Sequence, residues 1–269
     1  MLTFGIIPKG SACPFMPIIP LYEKEWLEEK RNYPVVKANA LVRKARYSLS
    51  AQQQKIILYL ISQIKQTDDN LKIYKFDMED FAKLCGIQCH GENYKNFKES
   101  LKALADKSFW IETPKKDMLV RWLERLEIDK YETTVSLRLD DRLKPYLLTL
   151  QENFTIYNFG STLLMKSKHS IRLLEIFASY KSLGIVEFTI DELKETLECG
   201  EYTEYKDFRR YVIDKALEEI NKYSEISVEY KPIKHGRSVY SLLFSISEKS
   251  NNEILRLRLE REAMLNDGK

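Results

Sequence analysis

The chain has 269 residues, of which 44% are hydrophobic and 31% charged, and its net charge is only +3. That length accommodates two domains of roughly 100 residues, each with its own core, and the balance excludes a protein that holds polyanions by bulk charge. Residues 1–149 carry 25 Lys and Arg against 20 Asp and Glu, and the remainder 18 against 20, so any nucleic-acid contact must rest on local basic patches.

Residues 1–20 are apolar but broken by Pro8, Pro14, Pro17 and Pro20, and they lack the basic start and unbroken core of a secretory signal. No run is long enough to cross a bilayer, and a cytoplasmic protein is expected. Residues 1–34 are expected to form a disordered extension, with structure beginning near Val35. Lys37, Arg43, Lys44 and Arg46 then make a basic cluster, either a solvated entry segment or an arm that touches phosphates. Ser50-Ala51-Gln52-Gln53 is a capping box, and Ile56, Ile57, Leu60, Ile61 and Ile64 follow at helical spacing, which predicts an amphipathic helix over 50–66.

A short strand over 74–76 precedes a helix capped by Asp77 and reaching Leu84, a break at Gly86, and a second helix from Asn93 to about Asp106. Runs at 109–112 and 118–123 flank Thr113-Pro114-Lys115-Lys116-Asp117 as a hairpin, and 127–129 with 133–139 are expected to extend the same sheet. Trp110 and Trp122 are expected in the core between strands. Residues 140–153 read as a helix broken by Pro145 that joins two halves. A helix over 170–181, the strand residue Phe188, a helix over 191–197, a break at Glu198-Cys199-Gly200 and a long helix over 204–221 follow. Strands at 226–230 and 239–246 are joined by a loop carrying Lys234, His235, Gly236 and Arg237, and the charged tail at 249–269 is expected to hold a short helix over 254–265 with no evident partner.

The second set repeats the first. FDMEDFAKL at 76–84 matches FTIDELKETL at 188–197, and YKNFK at 94–98 matches YKDFR at 205–209, each opening a longer helix that leads to a strand. Helix, turn, helix and hairpin outline a winged helix-turn-helix. The expected fold is therefore α+β, two tandem winged helix-turn-helix domains related by internal duplication, at 35–150 and 151–248.

The second helix of such a motif lies in the major groove. Over 204–221 the buried stripe would be Phe208, Val212, Ala216 and Ile220, leaving Arg210 opposite, Lys206 on the flank and Arg209 nearer the core side. Arginine suits this place because its planar fork meets guanine O6 and N7 together. In the first repeat Glu99 occupies the place of Arg210, where phosphates repel it. The second repeat is then the base reader, and the first docks on backbone or on protein. Lys234, His235 and Arg237 on the wing complete the expected DNA contacts. Cys85 and Cys89 with His90 lack a second pair of ligands, and Cys13, Cys199, His169 and His235 are isolated, so neither a metal nor a cofactor is expected.

Residues 36–65 (VKANALVRKARYSLSAQQQKIILYLISQIK), 104–122 (LADKSFWIETPKKDMLVRW), 146–155 (YLLTLQENFT) and 208–221 (FRRYVIDKALEEIN) together resemble the RepB/RepE-type plasmid replication initiator family. The resemblance implies two winged-helix domains that bind repeated origin sequences (iterons) in duplex DNA, open the origin and recruit host replication proteins, namely the host initiator and replicative helicase. It also implies a homodimer in equilibrium with monomer, the dimer binding an operator to repress its own gene through contacts in the first domain. Three alternatives differ in mechanism: a transcriptional repressor without initiator activity, a rolling-circle nicking initiator, and a tandem winged-helix adaptor that binds protein. Nicking would need a metal held by paired histidines, and none are paired here; an adaptor would lack an exposed arginine beside a basic wing.

Overall fold

The computed structural model describes residues 21–85, 92–112, 116–129, 131 and 133–267. The expected break at Gly86 and the turn at 113–115, with Cys13, Cys89 and His90, lie outside them.

The first unit is organised around α3 (Ala51–Ser62), whose start is fixed by the Ser50 and Gln53 capping box. Ile56, Ile57, Leu60 and Ile61 are buried. β2 (Tyr74–Asp77) leads into α4 (Met78–Leu84), where the Asp77 carboxylate accepts from the backbone N–H groups of Glu79 and Asp80. α5 (Glu92–Ala105) buries the expected stripe of Phe97, Leu101 and Leu104. β3 (Ser108–Glu112) and β4 (Asp117–Arg121) pair with each other alone. β5 (Leu123–Ile128) and β6 (Thr134–Leu139) join β2 in a separate sheet of order β2-β6-β5. The hairpin therefore does not extend that sheet. The chain turns at Trp122, which packs edge-on to Tyr47 and tilted against Phe109 in the core. Trp110 corrects the other half of the expectation: it alternates with buried Phe109 and Ile111, which puts it on the outer face at 53% exposure.

The join at residues 150 and 151 is no seam in the packing. After a short helical stretch with α6 (Lys144–Leu147), β7 (Phe154–Asn158) pairs antiparallel with β1 (Pro34–Ala38), in register from Pro34 with Asn158 to Ala38 with Phe154. The first unit thus runs on through β7. α2 (Asn39–Lys44) and α3 both pack on α8 (Lys168–Tyr180), which follows α7 (Gly160–Leu163) and is buried along most of its length.

In the second unit β8 (Ile185–Thr189) precedes α9 (Ile190–Thr196), whose capping box joins Thr189 and Glu192. The long helix spans 205–223 as α10 (Tyr205–Phe208), a π-helical turn (Arg209–Asp214) and α11 (Lys215–Tyr223). Phe208, Val212, Ala216 and Ile220 are fully buried, as the spacing requires. β9 (Ile226–His235) and β10 (Ser238–Glu248) form a long ribbon in a sheet of order β8-β10-β9.

Residues 21–31 correct the expected disordered extension, whereas the helix expected in the charged tail is present and gains a partner that the sequence did not show. Residues 21–31 form α1 (Leu21–Arg31) inside the expected disordered extension, and the charged tail is α12 (Asn251–Asn266), capped by Ser250 and Glu253. Each has a partner. The Arg31 guanidinium, 1% exposed, donates to the carbonyls of Lys83 and Leu84 at the end of α4 and to Glu262 and Asn266 of α12. Arg261 donates to Ser161 Oγ and the Tyr223 carbonyl. Gly160 sits where these segments meet: a Cβ there would lie 2.9 Å from the Arg31 carbonyl and 2.8 Å from Asn158 Oδ1.

Candidate nucleic-acid interface

The outer face of residues 205–223 carries Lys206, Arg209 and Arg210, all exposed. A π-helical turn brings residues five apart into line. Accordingly, Arg209 Nε lies 3.4 Å from Asp214 Oδ2, and Asp214 accepts a 2.8 Å hydrogen bond from the Tyr230 hydroxyl of β9. The wheel reading that turned Arg209 toward the core is thereby corrected. It faces solvent, paired with Asp214, which in turn bonds the ribbon. Burial and the Asp214 hydrogen bond together raise the Tyr230 pKa well above its usual range. Arg210 has no carboxylate partner within 4 Å among the described residues; its guanidinium lies 5.3 Å from the Tyr211 ring centroid. The helix therefore presents one pinned and one uncommitted guanidinium side by side.

Lys234, His235 and Arg237 are exposed at the end of the ribbon. The expected eight-residue loop is in fact a two-residue turn, Gly236-Arg237, because the strands pair out to His235 and Ser238. Gly236 has φ +66°, the positive value that a turn with glycine in first place demands. A bulge between Val239 and Ser241 takes Tyr240 out of register, and its ring stacks on His235 at 4.2 Å with 7° between planes. This stack stiffens the wing just behind the two basic side chains at its tip.

In the first unit Glu99 is exposed on α5, the position equivalent to Arg210. Lys95, Lys98 and Lys102 are exposed on the same helix. The sequence reading passed over these lysines, although their spacing of three and four residues is the signal that places them on one face.

The upstream cluster divides. Lys44 is exposed, whereas Arg43 donates to Ser179 Oγ and the Ser179 carbonyl and lies over the Tyr180 ring, and Arg46 donates to the Arg43 carbonyl. Lys37 is not a phosphate-contacting arm at all. It is 2% exposed and paired with Glu175, which also accepts from the hydroxyls of Tyr47 and Tyr157 and lies 3.3 Å from Arg172. Burial opposes the charge on Glu175, but Lys37 and Arg172 overcome it and hold its carboxyl below the usual range. Burial draws Lys37 below the usual lysine range despite Glu175. Arg172 in turn donates to the carbonyls of Val42 and Ala45, so this network fastens α8 to β1, β7 and the segment after α2.

Burial brings the His169 pKa down to about 4 at the start of α8, and it pushes the buried Cys85 and Cys199 thiols up to about 11. Among the described residues no three metal-ligating side chains cluster, and no helix is long and apolar enough to cross a membrane.

Comparison with known proteins places this geometry in a family. Residues 34–178 match the family model described as initiator replication protein, WH1, and residues 189–246 match initiator Rep protein, WH2. The first match extends through β7, consistent with its pairing to β1. An uncharacterized 27.6 kDa protein of Escherichia coli is 23% identical over 233 residues, 80% of this chain and 95% of that one. The PI protein of Escherichia coli is 24% identical over 159 residues, 53% of this chain, which spans 47% of that relative. A solved Pi initiator protein in complex with iteron DNA shares the fold with a TM-score of 0.67 at 21% identity, covering 82% of this chain and 99% of that one. With two winged-helix units matched in order over most of its length, the chain belongs to the family of plasmid replication initiator proteins.

Proposed function

We propose that this chain binds the iterons of a plasmid origin as duplex DNA, opens that origin and recruits the host initiator and replicative helicase. In this reading the second unit reads bases with Lys206 and Arg210, Arg209 is held for a phosphate, and Lys234, His235 and Arg237 grip the backbone or minor groove. The first unit docks on DNA backbone and carries the contact of a homodimer, which represses the chain's own gene at an operator. The protein works in the cytoplasm and performs no bond-breaking chemistry of its own.

One observation carries the proposal: an uncommitted arginine and a lysine stand on the outer face of a helix-turn-helix, next to a basic wing, in a chain of the initiator family. A protein with the same fold was solved on iteron DNA. Footprinting across the DNA that flanks the gene, combined with a replication assay, tests it. Protection of direct repeats of about 20 base pairs is expected, since two half-sites one helical turn apart set that length. A plasmid whose sole origin is that fragment should replicate only when the chain is supplied. Protection of an operator without replication would favour the repressor reading.

A further inference from the structure

The turn of helix that carries Arg210 also carries an aromatic ring, Tyr211. Tyr211 is 50% exposed, although a tyrosine ring gains most when buried. Three successive residues, 209 to 211, face outward because the buried stripe passes from Phe208 directly to Val212. The Tyr211 ring is held there. The Arg210 guanidinium lies 5.3 Å from its centroid, and the Tyr202 ring, from the turn that precedes the helix, stacks at 6.4 Å with 28° between planes. A half-exposed aromatic ring stacked on a second ring loses less side-chain entropy on contact than a free one.

In the major groove the apolar group that a fixed ring can meet is the C5-methyl of thymine. Successive base pairs rise by about 3.4 Å, so a guanidinium and a ring centroid 5.3 Å apart span one to two steps. Resting on the reading that this helix enters the major groove, we propose that Tyr211 contacts the 5-methyl group of a thymine within two base pairs of the guanine met by Arg210. The two side chains then select a T and a G together. The ring, and not the phenol oxygen, is the recognising group.

The test uses the full chain and duplexes carrying one repeat, in which each thymine in turn is replaced by deoxyuridine to remove only the methyl group. Binding is followed by fluorescence anisotropy, with a scrambled duplex as control. One replacement should weaken the wild type about fourfold, the effect of one buried methyl group. Tyr211→Phe should keep that difference, and Tyr211→Ala should abolish it while binding scrambled DNA like the wild type. Equal affinity of the wild type for every deoxyuridine duplex overturns the proposal, as does a Tyr211→Ala chain that still discriminates at the same thymine. A Tyr211→Phe chain that loses the difference also overturns it, since the phenol oxygen would then be the contact. Failure of the wild type to prefer any repeat over scrambled DNA would instead overturn the functional reading beneath it.

Discussion

Lys37 and Arg210 show what decides whether a basic side chain is spent inside the protein or left at its surface. Both stand among other basic residues in the sequence, but Lys37 is consumed by Glu175, 138 residues away, while Arg210 meets an aromatic ring and no carboxylate among the described residues. Local charge cannot reveal a partner that distant. Glu175→Gln should leave Lys37 and Arg172 buried without their counter-charge and cost roughly 3–5 kcal/mol, read as a lower urea midpoint with an unchanged slope. His169 adds a pH dependence. Its pKa of about 4 in the folded chain is below the value near 6.5 of the unfolded one, so the unfolded chain binds more protons between those values. Stability should be fully present above pH 6.5 and fall as the pH drops toward 4, by up to about 3 kcal/mol from this group. Urea unfolding of the wild type and His169→Gln at pH 7 and pH 5 checks it, and the variant should lose the corresponding part of the decline.

At the scale of elements, the sequence spoke clearly wherever a signal was local. The Ser50 and Gln53 box, the Asp77 cap and the stripe from Phe208 to Ile220 stand where their spacing puts them. The signal failed where placement depends on distant packing. α1 hid behind four prolines, the helix legible in the tail showed no partner until Arg31 and Arg261 supplied its contacts, and the π-helical turn, invisible to an ideal wheel, left Arg209 facing solvent. Trp110 failed for the opposite reason, since strand alternation rather than hydrophobicity sets its side. The wing offers a test at this scale. Replacing Lys234 and Arg237 together by Ala should weaken binding to every sequence and reduce the salt slope by up to about 2, because each phosphate contact releases about one counterion. An unchanged slope would remove the wing from the interface.

For the whole molecule, the first unit continues past residue 150, and α12 is tied both to α1 through Arg31 and to the second unit through Arg261. β7 completes a ribbon with β1 within that unit, α8 is fastened to it through Glu175 and Arg172, and α1 meets α12 at Gly160. A chain cut at residue 150 leaves β1 unpaired and Lys37 without its carboxylate, so the fragment 35–150 should not fold alone, as circular dichroism would show. Gly160→Ala should cost about 1–3 kcal/mol, since the methyl group has no room between Asn158 and the Arg31 carbonyl. Because the first unit crosses residue 150, the division of labour between the units must be tested in the intact chain.

A second unit that reads bases while the first supports it would follow from the contrast between exposed Arg210 and exposed Glu99 at equivalent positions. Affinities of the full chain, Arg210→Ala and Glu99→Ala for a cognate repeat and a scrambled duplex, taken at one fixed salt concentration, test it directly. Arg210→Ala should lose about 1–3 kcal/mol on the repeat and almost nothing on the scrambled duplex, whereas Glu99→Ala should leave the ratio of the two affinities unchanged. Equal losses of Arg210→Ala on both duplexes, or a ratio that collapses in Glu99→Ala, would contradict it.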